Sequence, residues 1–204
     1  MIGVTKEAGL WIVTLRRPEK ANSLTGAMLE ELAALTDAAG REGAKALILT
    51  GEGRVFSAGA DLDEARAGLA TDPVWERLSG ALAALPCLTI AALNGTLAGG
   101  AFGMALACDL RLAVPEAKFF YPVMKLGFLP QPSDPARLAA LIGPSRAKMI
   151  LMAGQKITAD AALGWGLVDR MVAPELLMDS ARALAADVLE AAPEHIAGIK
   201  RLVR

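Results

Sequence analysis

Two runs of small residues stand where chemistry could be done without a reactive side chain. Ala58-Gly59-Ala60 leads into Asp61-Leu62-Asp63-Glu64. About forty residues further on, Gly99-Gly100 leads into Ala101-Phe102-Gly103-Met104-Ala105-Leu106-Ala107. Each run precedes a helical pattern. The first four amides of a helix have no partner inside it and attract negative charge, and small side chains let a ligand approach the backbone closely. Two such sets of amides could hold one oxyanion between them without committing any side chain.

Other reactive residue types are sparse. His195 is the single histidine, placed beside Pro193-Glu194 beyond the last long helix, and it reads as a solvated surface residue. No ligand cluster surrounds it, so no metal site is expected. Cys87 and Cys108 lack CxxC spacing and read as small buried hydrophobes. No GxGxxG follows a strand and no GxxxxGK[ST] or GxSxG occurs. Dinucleotide, P-loop and α/β-hydrolase readings therefore lose their main support.

The elements that must position the two runs follow from the apolar pattern. Leu88 to Asp109 carries no charge until Asp109 and reads as a buried strand, a turn at Asn94-Gly95 and a buried helix. It is long enough for a membrane span, and Gly95, Gly99 and Gly103 form overlapping GxxxG patterns. Pro86, the Asn-Gly turn signal and the lack of flanking basic clusters argue against one. Strands are expected at 10–15, 45–50, 110–114, 118–121 and 168–172. Helices are expected from Thr25, as cap, to Gly40, from Pro73 to Ala84, over 136–142, 144–153, 158–163 and 174–191, and in the tail. Residues 122–135, with four prolines, read as irregular. Alternating strands and helices over the first 120 or so residues predict an α/β layout, with a nearly all-helical remainder.

The totals agree. The chain has 204 residues, 54% hydrophobic and 21% charged, with net charge −1. That composition excludes disorder and gives no electrostatic footprint for nucleic acid. No signal-peptide pattern opens the chain, and two unpaired cysteines suit a reducing cytoplasm.

The two loops also carry a resemblance. Phe56-Ser57-Ala58-Gly59-Ala60-Asp61-Leu62, then Asn94-Gly95, Gly99-Gly100 and Cys108-Asp109, resemble the two signatures of the crotonase, or enoyl-CoA hydratase/isomerase, family. Leu15-Arg16-Arg17-Pro18 with Asn22-Ser23-Leu24, Lys125 to Pro130, and Thr158-Ala159 through Val168 resemble its other segments in order. The resemblance implies an α/β crotonase-like (ClpP/crotonase) spiral of ββα units. Residues 1–143 would form the core and 144–204 a C-terminal helical segment shorter than usual, leaving the acyl pocket open or closed by a neighbouring chain. It further implies a coenzyme A thioester as substrate, no permanently bound cofactor, and a homo-oligomer, trimer or hexamer. The thioester oxygen would lie between the amides of Ala60 and Gly100. Lys20, Ala21, Ala58 and Leu62 would hold the adenine and pantetheine parts, with Gly59, Asp61, Gly99 and Val123 completing the site.

The chain departs from the family at its acids. The two hydratase glutamates fall, in this register, on Gly103 and Val123, and neither side chain can transfer a proton. A later single acid used by other members falls on Gln131, and Asp134 follows three residues on. Asp134 could serve as a base if its loop folds inward, or it could cap the next helix before Pro135. Tyr121 reads as core or pocket wall, and Asp61 as a helix cap. Asp63 replaces a basic residue that some relatives carry, which predicts altered coenzyme A binding. Standard two-glutamate hydration is thus not expected. An enolate-forming acyl-CoA enzyme (lyase, isomerase or hydrolase) and a non-catalytic crotonase-fold binding protein remain as readings. A Clp-type serine protease fails for want of a Ser/His pair.

Overall fold

The structure is a computed structural model and describes residues 1–203. In chain order the elements are β1 (Ile2–Glu7), β2 (Leu10–Leu15), α1 (Gly26–Arg41), β3 (Ala46–Gly51), β4 (Val55–Ser57), α2 (Leu62–Arg66), α3 (Val74–Ala84), β5 (Leu88–Leu93), β6 (Thr96–Ala98) and α4 (Phe102–Ala107). There follow β7 (Leu110–Ala113), β8 (Lys118–Phe120), α5 (Val123–Leu126), α6 (Asp134–Ile142), α7 (Pro144–Leu151), β9 (Ile157–Thr158), α8 (Ala159–Trp165), β10 (Arg170–Met171), α9 (Leu177–Glu190) and α10 (Pro193–Leu202).

Two sheets organise them. One has six strands in the order β1-β2-β3-β5-β7-β10, the other four in the order β4-β6-β8-β9. The strands β2, β3, β5 and β7 are parallel neighbours. Their sequences are near-continuous apolar runs because both faces are covered, as parallel sheets require. Helix α1 starts where Thr25 Oγ1 accepts from Met28 N at 3.2 Å, and it buries Met28, Leu29, Leu32 and Ala33 against the sheet and α3. On the other side α9 lies on β3, β5 and β7. Leu177, Ala181 and Ala185 of α9 are fully or nearly fully buried and belong to the same hydrophobic core as β5.

The uncharged stretch folds as expected from its turn signal. Asn94-Gly95 separates β5 from β6, and α4 follows. Among the described residues no helix is long and apolar enough to cross a membrane. Four strands were not expected. β1 pairs antiparallel with β2 although Val4, Thr5, Lys6 and Glu7 are exposed, the three-residue β4 and β6 join β8 in the second sheet, and the two-residue β9 closes its edge. Residues 122–135 are also less irregular than their prolines predict. One helical turn, α5, ends at Gly127 in the left-handed region, and α6 begins at Asp134 with Pro135 in its first turn, where a missing N–H costs nothing.

Candidate active site

The second sheet positions the site. β4, β6 and β8 are parallel neighbours, Val55 opposite Thr96 and Leu97 opposite Phe119. Their carboxyl ends therefore open side by side. From β4 emerges Ala58-Gly59-Ala60, from β6 emerges Gly99-Gly100, and from β8 emerges Tyr121-Pro122-Val123. Ligands in open α/β sheets bind at such carboxyl ends, since all the loops converge there.

The first loop is held by its backbone. Ala58 N donates to Ala21 O at 3.0 Å, Gly59 N to Ser57 Oγ at 3.2 Å, and Asp61 N to Leu24 O at 2.8 Å. Between them Ala60 N is left with no partner among the described residues. Gly59 has φ +92°, and a Cβ there would stand 2.9 Å from Ala98 O and 3.3 Å from Gly99 Cα. Only glycine lets the two loops meet, and that contact brings Ala60 and Gly100 to one crevice. Gly100 opens toward the same crevice at the start of a 3-10 turn that leads into α4.

Both ends of the stretch carrying Gly100 are tied. Asp109 Oδ2 accepts from Thr89 N at 2.8 Å and from Thr89 Oγ1 at 2.9 Å, while Asp109 N donates to Thr89 O. Lys200 Nζ, from α10, reaches Asp109 Oδ2 at 2.7 Å and Cys87 O at 2.8 Å.

The crevice has a volume of about 150 Å³ and includes Ala58, Ala60, Leu62, Gly99, Gly100, Val123 and Gln131 in its lining. The structure thus gathers most of the residues expected from the sequence. Lys20, Ala21, Gly59 and Asp61 do not line it. Lys20 ends an exposed 3-10 turn. Ala21, at φ +51°, acts through its carbonyl on Ala58. Asp61 caps α2, accepting from Asp63 N at 3.2 Å, and pairs with Arg17 Nη1 at 2.8 Å. That hydrogen bond from Arg17 holds the Asp61 carboxyl below the usual range, as expected for a structural cap.

Asp134 corrects the expectation of a helix cap: it joins the first turn of α6, and it meets the crevice only through Tyr121, which lines it. It is 1% exposed. Its Oδ2 accepts from Tyr121 Oη at 2.9 Å, Tyr121 Oη accepts from Gln131 N at 3.2 Å, and Oδ1 has no partner among the described residues. That free oxygen points at α4, 3.1 Å from where a Cβ on Gly103 would stand. The carboxyl on α6 therefore abuts the space that a side chain at 103 would need. Burial pushes the Asp134 carboxyl up to about 7; the hydrogen bond from Tyr121 opposes this, negative Glu76 adds to it, and Arg137 opposes it. Burial and then the Asp134 charge push the Tyr121 phenol above its ordinary value.

Gln131, proposed as a candidate from its position, turns its side-chain amide to Ala70 O at 3.0 Å. Val123 is an apolar wall, 8% exposed. The residue that sequence reasoning missed is Trp75. It is 3% exposed, its Nε1 donates to Leu69 O at 2.8 Å, and its ring lies over Gly100, 3.1–3.2 Å from an imagined Cβ there. Its helical spacing with Leu78 and Leu82 fits a core position; nothing in the sequence places it over a loop 25 or so residues away.

His195 is exposed and far from these loops, lining an apolar groove of about 570 Å³ between β5, α9 and α10. That groove is larger than the crevice. Cys87 and Cys108 are buried, which pushes their thiols up to about 11 and about 12. Among the described residues no cluster could hold a metal ion.

Comparison with known proteins establishes the family and the fold. The family model for enoyl-CoA hydratase/isomerase matches residues 5–204. A Mycobacterium tuberculosis protein described as "Probable enoyl-CoA hydratase echA6" is 36% identical over 204 residues, covering 100% of this chain and 82% of its own. The carnitinyl-CoA dehydratase of Salmonella arizonae is 36% identical over 212 residues, covering 98% and 79%. The crystal structure of enoyl-CoA hydratase from Bacillus anthracis superposes with TM-score 0.90 at 33% identity, over 99% of this chain and 81% of that one. The fold is the crotonase fold. The chain belongs to the enoyl-CoA hydratase/isomerase family.

Proposed function

We propose that the chain binds a coenzyme A thioester with its carbonyl oxygen between the amides of Ala60 and Gly100, and stabilises the enolate formed from it. The observation that carries this reading is the meeting of the two loops at Gly59 and Gly99, with Ala60 N unpaired at the crevice they share. When an α-proton leaves, the C–H electron pair moves into a carbon–carbon double bond and charge builds on the thioester oxygen. Amides already aimed at that oxygen lower the barrier; losing one such donor typically costs about 10²–10³ in rate.

The reaction is not two-glutamate hydration, because Gly103 and Val123 stand at both glutamate positions. Asp134 is the acid–base candidate, acting through Tyr121. The substrate's proton would pass to Tyr121 Oη as Tyr121 passes its own to Asp134 Oδ2. Tyr121 lines the crevice and holds that hydrogen bond, which supports the route. Coenzyme A is substrate rather than resident cofactor, its adenine and pantetheine lying along Lys20, Ala21 and Leu62. A homo-oligomer (trimer or hexamer), a cytoplasmic location and a role in fatty acid metabolism complete the proposal. The second reading, a non-catalytic binding protein of this fold, is favoured by one observation: Asp134 is shut behind Tyr121.

Proton exchange separates the two. The full chain is incubated with acyl-CoAs in D2O, with loss of the α-proton signal followed by NMR and binding by calorimetry. Exchange that Asp134→Asn slows tenfold or more supports the enzyme. Binding without exchange supports the second reading, and no heat with any acyl-CoA at millimolar concentration refutes the coenzyme A thioester reading.

A further inference from the structure

The inner end of the crevice differs in kind from its mouth. Leu62, Leu126 and Leu129 at the mouth are exposed, whereas Trp75, Tyr121 and Val123 are buried. The inner walls are locked. Trp75 is fixed through Nε1 to Leu69 O at 2.8 Å, Tyr121 through Oη to Asp134 and Gln131 N, and Gln131 through its side-chain amide to Ala70 O. Tyr121 also stacks on Phe102, ring centroids 5.4 Å apart. The indole of Trp75 rests on Gly100, the residue whose amide would hold the thioester oxygen. An acyl chain growing inward from that oxygen meets this ring.

We infer that Trp75 sets the acyl-chain length this site accepts, admitting only short acyl groups. The inference rests on the proposed acyl-CoA reading. The crevice volume of about 150 Å³ fixes the scale. An apolar cavity of about that size holds a benzene-sized guest, roughly six heavy atoms. The thioester carbon, oxygen and sulfur use about half of it, leaving room for about three more carbons, a chain of about four with the thioester carbon counted. Beyond that length a methylene must displace a ring that is packed on backbone and hydrogen-bonded, so its burial yields no affinity. With the ring removed, each further buried methylene tightens binding roughly fourfold.

The test is a series of dissociation constants, by calorimetry on the full chain, for acetyl-, butyryl-, hexanoyl- and octanoyl-CoA. The unaltered chain tightens from acetyl to butyryl and then weakens or levels. Trp75→Ala tightens on through octanoyl, a gain on the order of a hundredfold over butyryl. Trp75→Phe keeps a ring in the core, guards against loss of folding in the alanine variant, and moves the limit outward by one or two carbons. Steady tightening to octanoyl in the unaltered chain overturns the inference, as does a limit that neither substitution moves. Both outcomes leave acyl-CoA binding standing. Absence of binding at every length overturns the functional reading and this inference together.

Discussion

Replacing Asp134 by asparagine should stabilise the protein at alkaline pH relative to acid pH. The carboxyl is 1% exposed and has one hydrogen-bond donor, Tyr121 Oη. Glu76 raises its proton affinity, and Arg137 lowers it. In the folded chain it titrates at about 7, and in the unfolded chain at about 3.9. Between those values the folded state holds a proton that the unfolded state has released, so stability falls as pH rises. The cost is absent below about pH 4, grows to about 4 kcal/mol, and levels off above pH 7. Between pH 5 and pH 8 the change is about 2–3 kcal/mol. Asparagine keeps the acceptor for Tyr121 but does not titrate. Its amide faces Gly103 and costs about 1–3 kcal/mol if unpaired, equally at both pH values. The difference between variant and wild type should therefore shift in the variant's favour by roughly 5–10 °C in Tm between pH 5 and pH 8. Thermal melts at the two pH values, at one protein concentration, read this directly. Parallel pH profiles for the two chains would refute the reasoning, because a buried, strained carboxylate must show this linkage.

Other substitutions probe the loops. Gly59→Ala places a Cβ 2.9 Å from Ala98 O in a left-handed backbone, so it should cost about 1–3 kcal/mol of stability and weaken acyl-CoA binding together; thermal melts and calorimetry check both. Gly103→Glu puts a carboxylate where the family resemblance would set a hydratase glutamate but drives it into Asp134, 3.1 Å away at the Cβ, and should cost about 1–3 kcal/mol or more. Gly103→Glu with Asp134→Gly should recover much of that loss, which a double-mutant cycle in urea would show as strong non-additivity. The unaltered chain should hydrate crotonyl-CoA far below ~10 per second, a typical enzyme turnover; a coupled absorbance assay reaching that rate would overturn the assignment of Gly103 and Val123.

The amide loops were legible because a run of small residues before a helical pattern leaves the first amides of that helix open to approach, and the strand–turn–helix at 88–109 because Asn94-Gly95 breaks an otherwise uniform run. β1 was hidden since its exposed side chains, Lys6 and Glu7 among them, leave no alternation to read. β4 and β6 are too short for periodicity and are strands only because they lie beside each other. Asp134 precedes Pro135, which locally reads as a helix start; its burial depends on an absent side chain at Gly103, some thirty residues earlier. Trp75 shares a helical apolar pattern with Leu78 and Leu82, a pattern that speaks only of a core position, and it is buried. That its ring also closes a crevice is a property of where α3 packs on α4.

The ties between Thr89 and Asp109, with Lys200 joining from α10, have a consequence for how the site meets its ligand. Four hydrogen bonds and an ion pair close some twenty residues into a loop, as a cross-link would. The conformational freedom of the segment bearing Gly100 is surrendered during folding, before any ligand arrives. Association should then leave the backbone around Gly100 in place, and differences in affinity between acyl groups should reflect fit inside the crevice rather than the ordering of a mobile loop.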